Sequence, residues 1–257
     1  MKRLATALVL IPATVWVVLF GPGWALLALL ALVGILAFRE YDHIAGENGI
    51  PRPGWPGVVA GLAVMLAPEP QIVVVLVVLG GLLLALRVSD LKDAMAGAAA
   101  FALGAIYIFG AWRCASELHA INRHWLMFAV LLSWAGDTAA MYVGKAFGKH
   151  KLAARVSPSK TWEGAVASVI AGVLAGTIYA HYLLPSTAMG FALVAAAAGN
   201  IAGQAGDLCE SAMKRGAGVK DSGTSLPGHG GWLDRIDSAL FSVPVVYALV
   251  RFLAPVM

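Results

Sequence analysis

The residues with the most chemical potential lie between positions 206 and 237. Asp207, Glu210, Ser211 and Lys214 are spaced i, i+3, i+4 and i+7, which puts two carboxylates, a hydroxyl and an ammonium on one face of a helix. Arg215 follows at once. Next comes Gly218-Val-Lys220-Asp221-Ser-Gly223-Thr-Ser-Leu-Pro227-Gly-His229-Gly230-Gly231, a polar run whose glycines permit a tight loop with backbone N–H groups turned to a ligand. Asp234, Arg235 and Asp237 then open an apolar stretch, the two acids i, i+3 on one face. Taken singly, the stripe could be a solvated helix end and the acids could complement a helix dipole. Neither reading explains why acids, basic residues, a histidine and a glycine-rich run gather at one place. Carboxylates without a cysteine cluster suit a hard cation such as Mg²⁺, which one or two carboxylates and bound phosphates hold together. Nearby Lys and Arg would balance the phosphate charge.

Two further groups stand upstream. Ser157-Pro158-Ser159-Lys160-Thr161-Trp162-Glu163-Gly164 combines a proline-fixed backbone with hydroxyls and an ammonium just before an apolar helix, and Lys and helix N-termini both bind phosphate. The preceding Gly144-Lys-Ala-Phe-Gly148-Lys149-His150-Lys151 has three residues between its glycines and His150 after Lys149. It therefore lacks the spacing of a Walker A loop, and on charge alone it reads as a basic segment touching anionic lipid. Asp137 sits inside an apolar stretch. An acid at mid-membrane costs about 2.5–3.5 kcal/mol, so it should face protein, water or an ion, unless it lies near a helix end and reaches the headgroups.

The elements that must position these groups are membrane helices. Of 257 residues, 60% are apolar and 12% charged, and mean hydropathy is +0.81. A soluble domain carries roughly 25% charge, so disorder is ruled out and the apolar surplus is expected to face lipid. Two cysteines rule out a disulfide scaffold. Apolar stretches run over 4–20, 24–38, 57–67, 71–86, 97–112, 125–144, 164–184, 188–206 and 238–254. Each is read as a span, the first as a retained helix and 57–67 as short for the roughly 20 residues a span needs. With that count every Lys and Arg except Arg113, Arg123 and Arg251 falls on the side of the N-terminus. Positive residues stay in the cytoplasm, so the N-terminus and the segments 145–163 and 207–237 are expected there. The expected fold is all-α, a polytopic helix bundle of about nine spans. Residues 1–124 anchor and pack, and residues 125–257 carry the chemistry, without separately folding domains. The pairs Gly172/Gly176 and Gly199/Gly203 would let helices approach closely.

The run Ser211 to Asp237, with Lys214-Arg215, Lys220-Asp221, Leu226-Pro227-Gly-His229-Gly230-Gly231 and Asp234-Arg235-Ile-Asp237, resembles the signature of the phosphatidate cytidylyltransferases, the CDP-diacylglycerol synthases. Ser157-Pro158-Ser159-Lys160-Thr161-Trp162-Glu163-Gly164 is similar to the family's second block. The likeness covers roughly 130–240. It departs at Trp232, where the family usually has a smaller aliphatic residue or Phe. It also departs after Asp137, where Met141 takes the place of a usual Tyr and Tyr142 comes one position later. The resemblance implies a bacterial-type inner membrane enzyme, its active site facing the cytoplasm, that joins CTP and phosphatidic acid to give CDP-diacylglycerol and pyrophosphate. Carried over by motif position, Asp207, Asp234 and Asp237 would hold Mg²⁺, with room for a second, monovalent ion. Lys214, Arg215, Lys220 and Arg235 would neutralise phosphates, and Asp221 would order Lys220 or a metal-bound water. Ser157, Lys160, Thr161, Ser211 and His229 would make further substrate contacts. A homodimer is compatible with this reading, and no nucleic-acid partner is expected. The rival readings are a CTP-dependent lipid-alcohol kinase of the dolichol or phytol kinase type and an ion-coupled transporter. A kinase would release CDP rather than pyrophosphate. A transporter would spread polar residues through several spans, whereas those at 4–20, 71–86 and 238–254 are nearly featureless. A CDP-alcohol phosphatidyltransferase would need its own acid pattern, which is absent.

Overall fold

In a computed structural model the described residues are 2–226, 228 and 230–253, with the backbone alone for 2–7 and 9. Pro227 and His229 lie outside them, so the expected substrate contact at His229 is not described. The helices, in chain order, are α1 (Lys2–Leu19), α2 (Gly23–Glu47), α3 (Gly54–Leu66), α4 (Pro70–Ala85), α5 (Ala94–Gly104), α6 (Ala111–Ile121), α7 (Arg123–Phe147), α8 (Trp162–Leu183), α9 (Met189–Gly216), α10 (Leu233–Ile236) and α11 (Ala239–Leu253). A single widened π-type turn, Ala105–Gly110, joins α5 to α6. Among the described residues the chain is all-α apart from one hairpin, β1 (Lys151–Ala153) and β2 (Ser157–Thr161), paired antiparallel with Lys151 opposite Thr161, and an isolated bridge between Leu226 and Gly230. The segment 145–163, expected as a loop, thus contains strand. The residue before a proline is pushed out of the helical region, and Ser157 stands before Pro158 in that extended backbone.

Among the described residues, five stretches are long and apolar enough to cross a membrane: Gly23–Glu47, Leu91–Ile121, Arg123–Phe147, Trp162–Leu183 and Leu233–Leu253. Leu10–Leu19, Gly54–Leu66 and Pro70–Ala85 are apolar but shorter. The multi-pass character follows also from which side chains face outward. Along α8 the buried positions are Gly164, Ser168, Gly172, Gly176 and Ala180, one small residue every four. Val166, Ile170, Leu174, Ile178 and Tyr182, large and apolar at the same period, are exposed. A helix that hides its small residues and shows its large apolar ones is packed for lipid outside and close helix contact inside.

The chain forms two compact units. One comprises residues 1–10, 22–113 and 213–235, the other 11–21, 114–212 and 236–257. In the first, Phe38 and Tyr41 of α2 and Phe109 of the π turn form a tilted ring cluster with centroids 5.9 Å apart. The rings lie over Gly57, Gly61 and Gly104, where any Cβ would fall within 2.4 Å of a ring atom. The Tyr41 hydroxyl donates to the Ala100 carbonyl at 2.9 Å, and Arg113 donates to the Ala67 carbonyl at the end of α3.

In the second unit α7 lies along α8, and α11 also packs on α7. Gly176 faces Leu132, Phe128 and Ala196, and Gly199 faces Leu132 and Val246. Gly199, Gly203 and Gly206 form a stripe on α9 against the start of α11. A Cβ on Gly203 would lie 3.4 Å from the Ser238 carbonyl oxygen, and one on Gly206 2.6 Å from that of Asp237. Overpacking such a contact costs about 1–3 kcal/mol. Gly206→Ala should therefore lower the thermal midpoint of the detergent-solubilised protein. Gly190→Ala, where a Cβ meets nothing within 4 Å, should leave it unchanged.

Candidate active site

Within the second unit a cleft of about 310 Å³ opens between the ends of α7, β2, α8 and α9, lined by Asp137, Lys145, Ser159, Lys160, Thr161, Gln204 and Asp207 among others. The Lys160 ammonium pairs with the Asp207 carboxylate, both side chains only partly exposed. Ser211, one turn on, donates to the same carboxylate at 3.4 Å. Thr161 also lines the cleft, and its hydroxyl accepts from the Gly164 N–H at 3.2 Å, so it caps α8. Next to it Glu163 pairs with His150 at 2.7 Å across the hairpin. Ser157, at the start of β2, is half-buried and does not line the cleft.

Below the cleft lies a buried polar knot. The Ser168 hydroxyl donates to Asn200 Oδ1 at 3.2 Å, Asn200 Nδ2 to the Leu132 carbonyl at 3.2 Å, and Gln204 Nε2 to Asn200 Oδ1 at 2.8 Å. Gly136 and Gly172 make room for it, since a Cβ on either would fall within 2.6 Å of Asn200 Nδ2. Buried amides need such partners, and the knot holds α7, α8 and α9 in one register. Ser168, Asn200 and Gln204 were not among the residues singled out from the sequence. Two amides four residues apart in one span were the available signal.

The Asp237 carboxylate is near enough to Asp207, Glu210 and Asp137 to feel the negative charge of each. Like charges so gathered are unfavourable unless cations share them, and Lys160 is one such cation. Among the described residues, no three His, Cys, Asp or Glu side chains are drawn close enough to cage a metal ion. The donor set nevertheless fits one. It is all carboxylate, hard oxygen of the kind Mg²⁺ takes, and Mg²⁺ needs only one or two such groups.

The first unit contains the other cluster. The ammonium of Lys214 pairs with Asp234 at 2.5 Å, the two side chains 9% and 6% exposed. The second oxygen of Asp234 accepts from the amides of Ser222 at 2.9 Å and Gly231 at 2.8 Å. Asp234, expected as a metal ligand, thus has one oxygen on Lys214 and the other on the Ser222 and Gly231 amides. Gly230 is in the left-handed region, φ +78°, where a Cβ would also lie 2.5 Å from Asp234 Oδ2. Arg215 donates to the Val219 carbonyl at 2.8 Å and closes the turn after α9. Lys220, Asp221 and Arg235 are exposed. The carboxylate of Glu40, on α2, reaches into the same loop. Sequence reasoning missed Glu40. A charged residue at the end of a span looks like an ordinary helix terminus, and its partners are 182 to 193 positions away.

Helices packed for lipid, with a polar cleft holding the Lys160–Asp207 pair at their ends, define a polytopic membrane protein. The chain belongs to the cytidylyltransferase family, which it matches over residues 1–253. It is 33% identical over 226 residues, 84% of this chain and 87% of the relative, to the phosphatidate cytidylyltransferase of Staphylococcus saprophyticus. Proteins of that name from Bacillus subtilis and Haemophilus influenzae are 38% and 43% identical over 151 and 124 residues, 58% and 46% of this chain and 56% and 43% of theirs.

Removing one partner of a buried ion pair costs about 3–5 kcal/mol. Asp234→Asn should therefore lower the thermal midpoint and speed tryptic cleavage at Lys220. Adding Lys214→Met should recover part of the loss, because it removes the stranded charge. Exposed Arg235→Gln should change neither readout.

Proposed function

We propose that the chain transfers the cytidylyl group of CTP to phosphatidic acid, giving CDP-diacylglycerol and pyrophosphate, as the names of its relatives indicate. The observation that carries this reading to the residues is the Lys160–Asp207 pair in a polar cleft at the end of membrane helices. A lipid phosphate can come from the bilayer and a triphosphate from water. An oxygen of the lipid phosphate attacks the α-phosphorus of CTP. The bond from that phosphorus to the β-phosphate bridging oxygen breaks, and pyrophosphate leaves. No protein nucleophile is needed, so rate comes from positioning and charge neutralisation. Lys160 and Lys145 of the cleft supply positive charge to the phosphates. Thr161 and Ser211 keep Lys160 and Asp207 in place through the α8 cap and the Asp207 hydrogen bond.

We assign Asp207 and Asp237 to hold Mg²⁺, with Glu210 and Asp137 beside them; a second, monovalent ion would share this acidic group. Bound there, the cation would screen the converging phosphate charges. We place the N-terminus, the 145–163 segment and the 207–237 segment in the cytoplasm, in a bacterial-type inner membrane. The distribution of Lys and Arg supports this orientation.

Purified protein given labelled CTP and phosphatidic acid should yield lipid-linked cytidine and an equal amount of pyrophosphate. Release of CDP and phosphorylation of a lipid alcohol would instead identify a kinase. Lys160→Ala and Asp207→Asn should each slow turnover at least tenfold, about 1.4 kcal/mol of barrier. Excess chelator should abolish it, and added Mg²⁺ should restore it.

A further inference from the structure

Glu40 belongs to none of the motifs that carry the chemistry, yet it is 8% exposed and all its described partners lie in the glycine-rich segment. An ionised carboxylate offers about four lone-pair sites and no donor. Here four donors meet them. Oε1 accepts from the Ser225 hydroxyl at 3.0 Å and the Trp232 amide at 3.0 Å. Oε2 accepts from the Ser222 hydroxyl at 2.8 Å and the Leu233 amide at 2.9 Å. The Ser222 hydroxyl is also 3.0 Å from Asp234 Oδ2. Its single proton serves one acid at a time, so Glu40 and Asp234 share it.

The backbone is built around this carboxylate. A Cβ on Gly231 would lie 2.1 Å from Glu40 Oε2, and one on Gly223 2.8 Å from Oε1. Neither glycine has positive φ, so close approach to the glutamate, not backbone freedom, requires glycine at both places. Glu40 is itself fixed. It precedes Tyr41, whose ring packs on Phe38 and whose hydroxyl is bonded to Ala100.

We propose that Glu40 is a positioning residue: its carboxylate ties residues 222–225 to residues 232–233 and so sets how these stretches meet a soluble nucleoside triphosphate. This rests on the reading of the chain as a CTP-using transferase. The described loop residues between Lys220 and Ser225 are glycine or polar, and Leu226, the apolar one that follows, is buried. Such a surface suits a water-borne polyphosphate and offers nothing to an acyl chain.

Glu40→Gln keeps the shape and turns one oxygen into a donor, which then faces two donors it cannot satisfy. Full-length protein in detergent should show two effects. KM for CTP should rise at least fivefold while KM for phosphatidic acid stays within twofold. Amide hydrogen exchange at Trp232 and Leu233 should speed at least tenfold without substrate present. Ser225→Ala, which removes one exposed donor, should move both quantities the same way by less. Unchanged exchange in Glu40→Gln, or equal rises in both KM values, would overturn the proposal. Should the unaltered protein make no lipid-linked cytidine, the transferase reading fails, and the exchange rates still decide whether Glu40 holds the loop.

Discussion

A carboxylate withdrawn from water is tolerable only when donors occupy its lone pairs or a cation sits beside it. The segment from Ser222 to Asp234 is shaped by that demand at two places, Glu40 and Asp234. Between them the two acids accept the amides of Ser222, Gly231, Trp232 and Leu233, the hydroxyls of Ser222 and Ser225, and the ammonium of Lys214. A loop rich in glycine would otherwise have much conformational freedom to lose on ordering. Here its amides are tied to fixed acids, so the glycines serve proximity as much as flexibility. Gly223, Gly230 and Gly231 are each where a carboxylate oxygen comes within 2.8 Å of a would-be Cβ.

The second unit solves a related problem in an apolar setting. Its helices must approach closely enough to bury Asn200, Gln204 and Ser168 in mutual hydrogen bonds, and they must present Lys160 and Asp207 at their ends. Small residues do the first job. The Gly164–Ala180 stripe of α8 and the Gly199–Gly206 stripe of α9 remove the side-chain volume that would keep the helices apart. Close backbone packing is the main attraction available to helices in lipid, because burying apolar surface gains nothing there. The same packing brings the Asp237 carbonyl against Gly206, one residue before Asp207. Helix contact and the gathering of acids are thus one arrangement.

Membership of the cytidylyltransferase family gives these features a shared purpose. A transfer between two phosphates asks little of protein nucleophiles and much of charge placement. The chain invests accordingly in salt-bridged lysines, gathered acids and a pinned loop. Its outward surface is left to Val, Ile, Leu and aromatic residues.

By itself the sequence determined the all-α membrane character, the approximate places of the apolar helices, though α2, α6 and α9 run nine or ten residues past the expected span ends, and the polar motifs of the candidate site. These are local properties. Hydropathy marks a span wherever it ends up, and the i, i+3, i+4 spacing of Asp207, Glu210 and Ser211 sets their common face as soon as a helix forms. The hairpin at 151–161 was less legible, because Pro158 signals extended backbone but not which strand pairs with it. Only the tertiary structure decided which partner each buried polar group would take. Asp234 spends its oxygens on Lys214 and the loop amides, Asn200 bonds to Ser168 and the Leu132 carbonyl, and Glu40 reaches residues some 190 positions away. Hydrogen bonds of that kind depend on distance in space, and distance in space across a long chain is set by packing rather than by any pattern within a single helix.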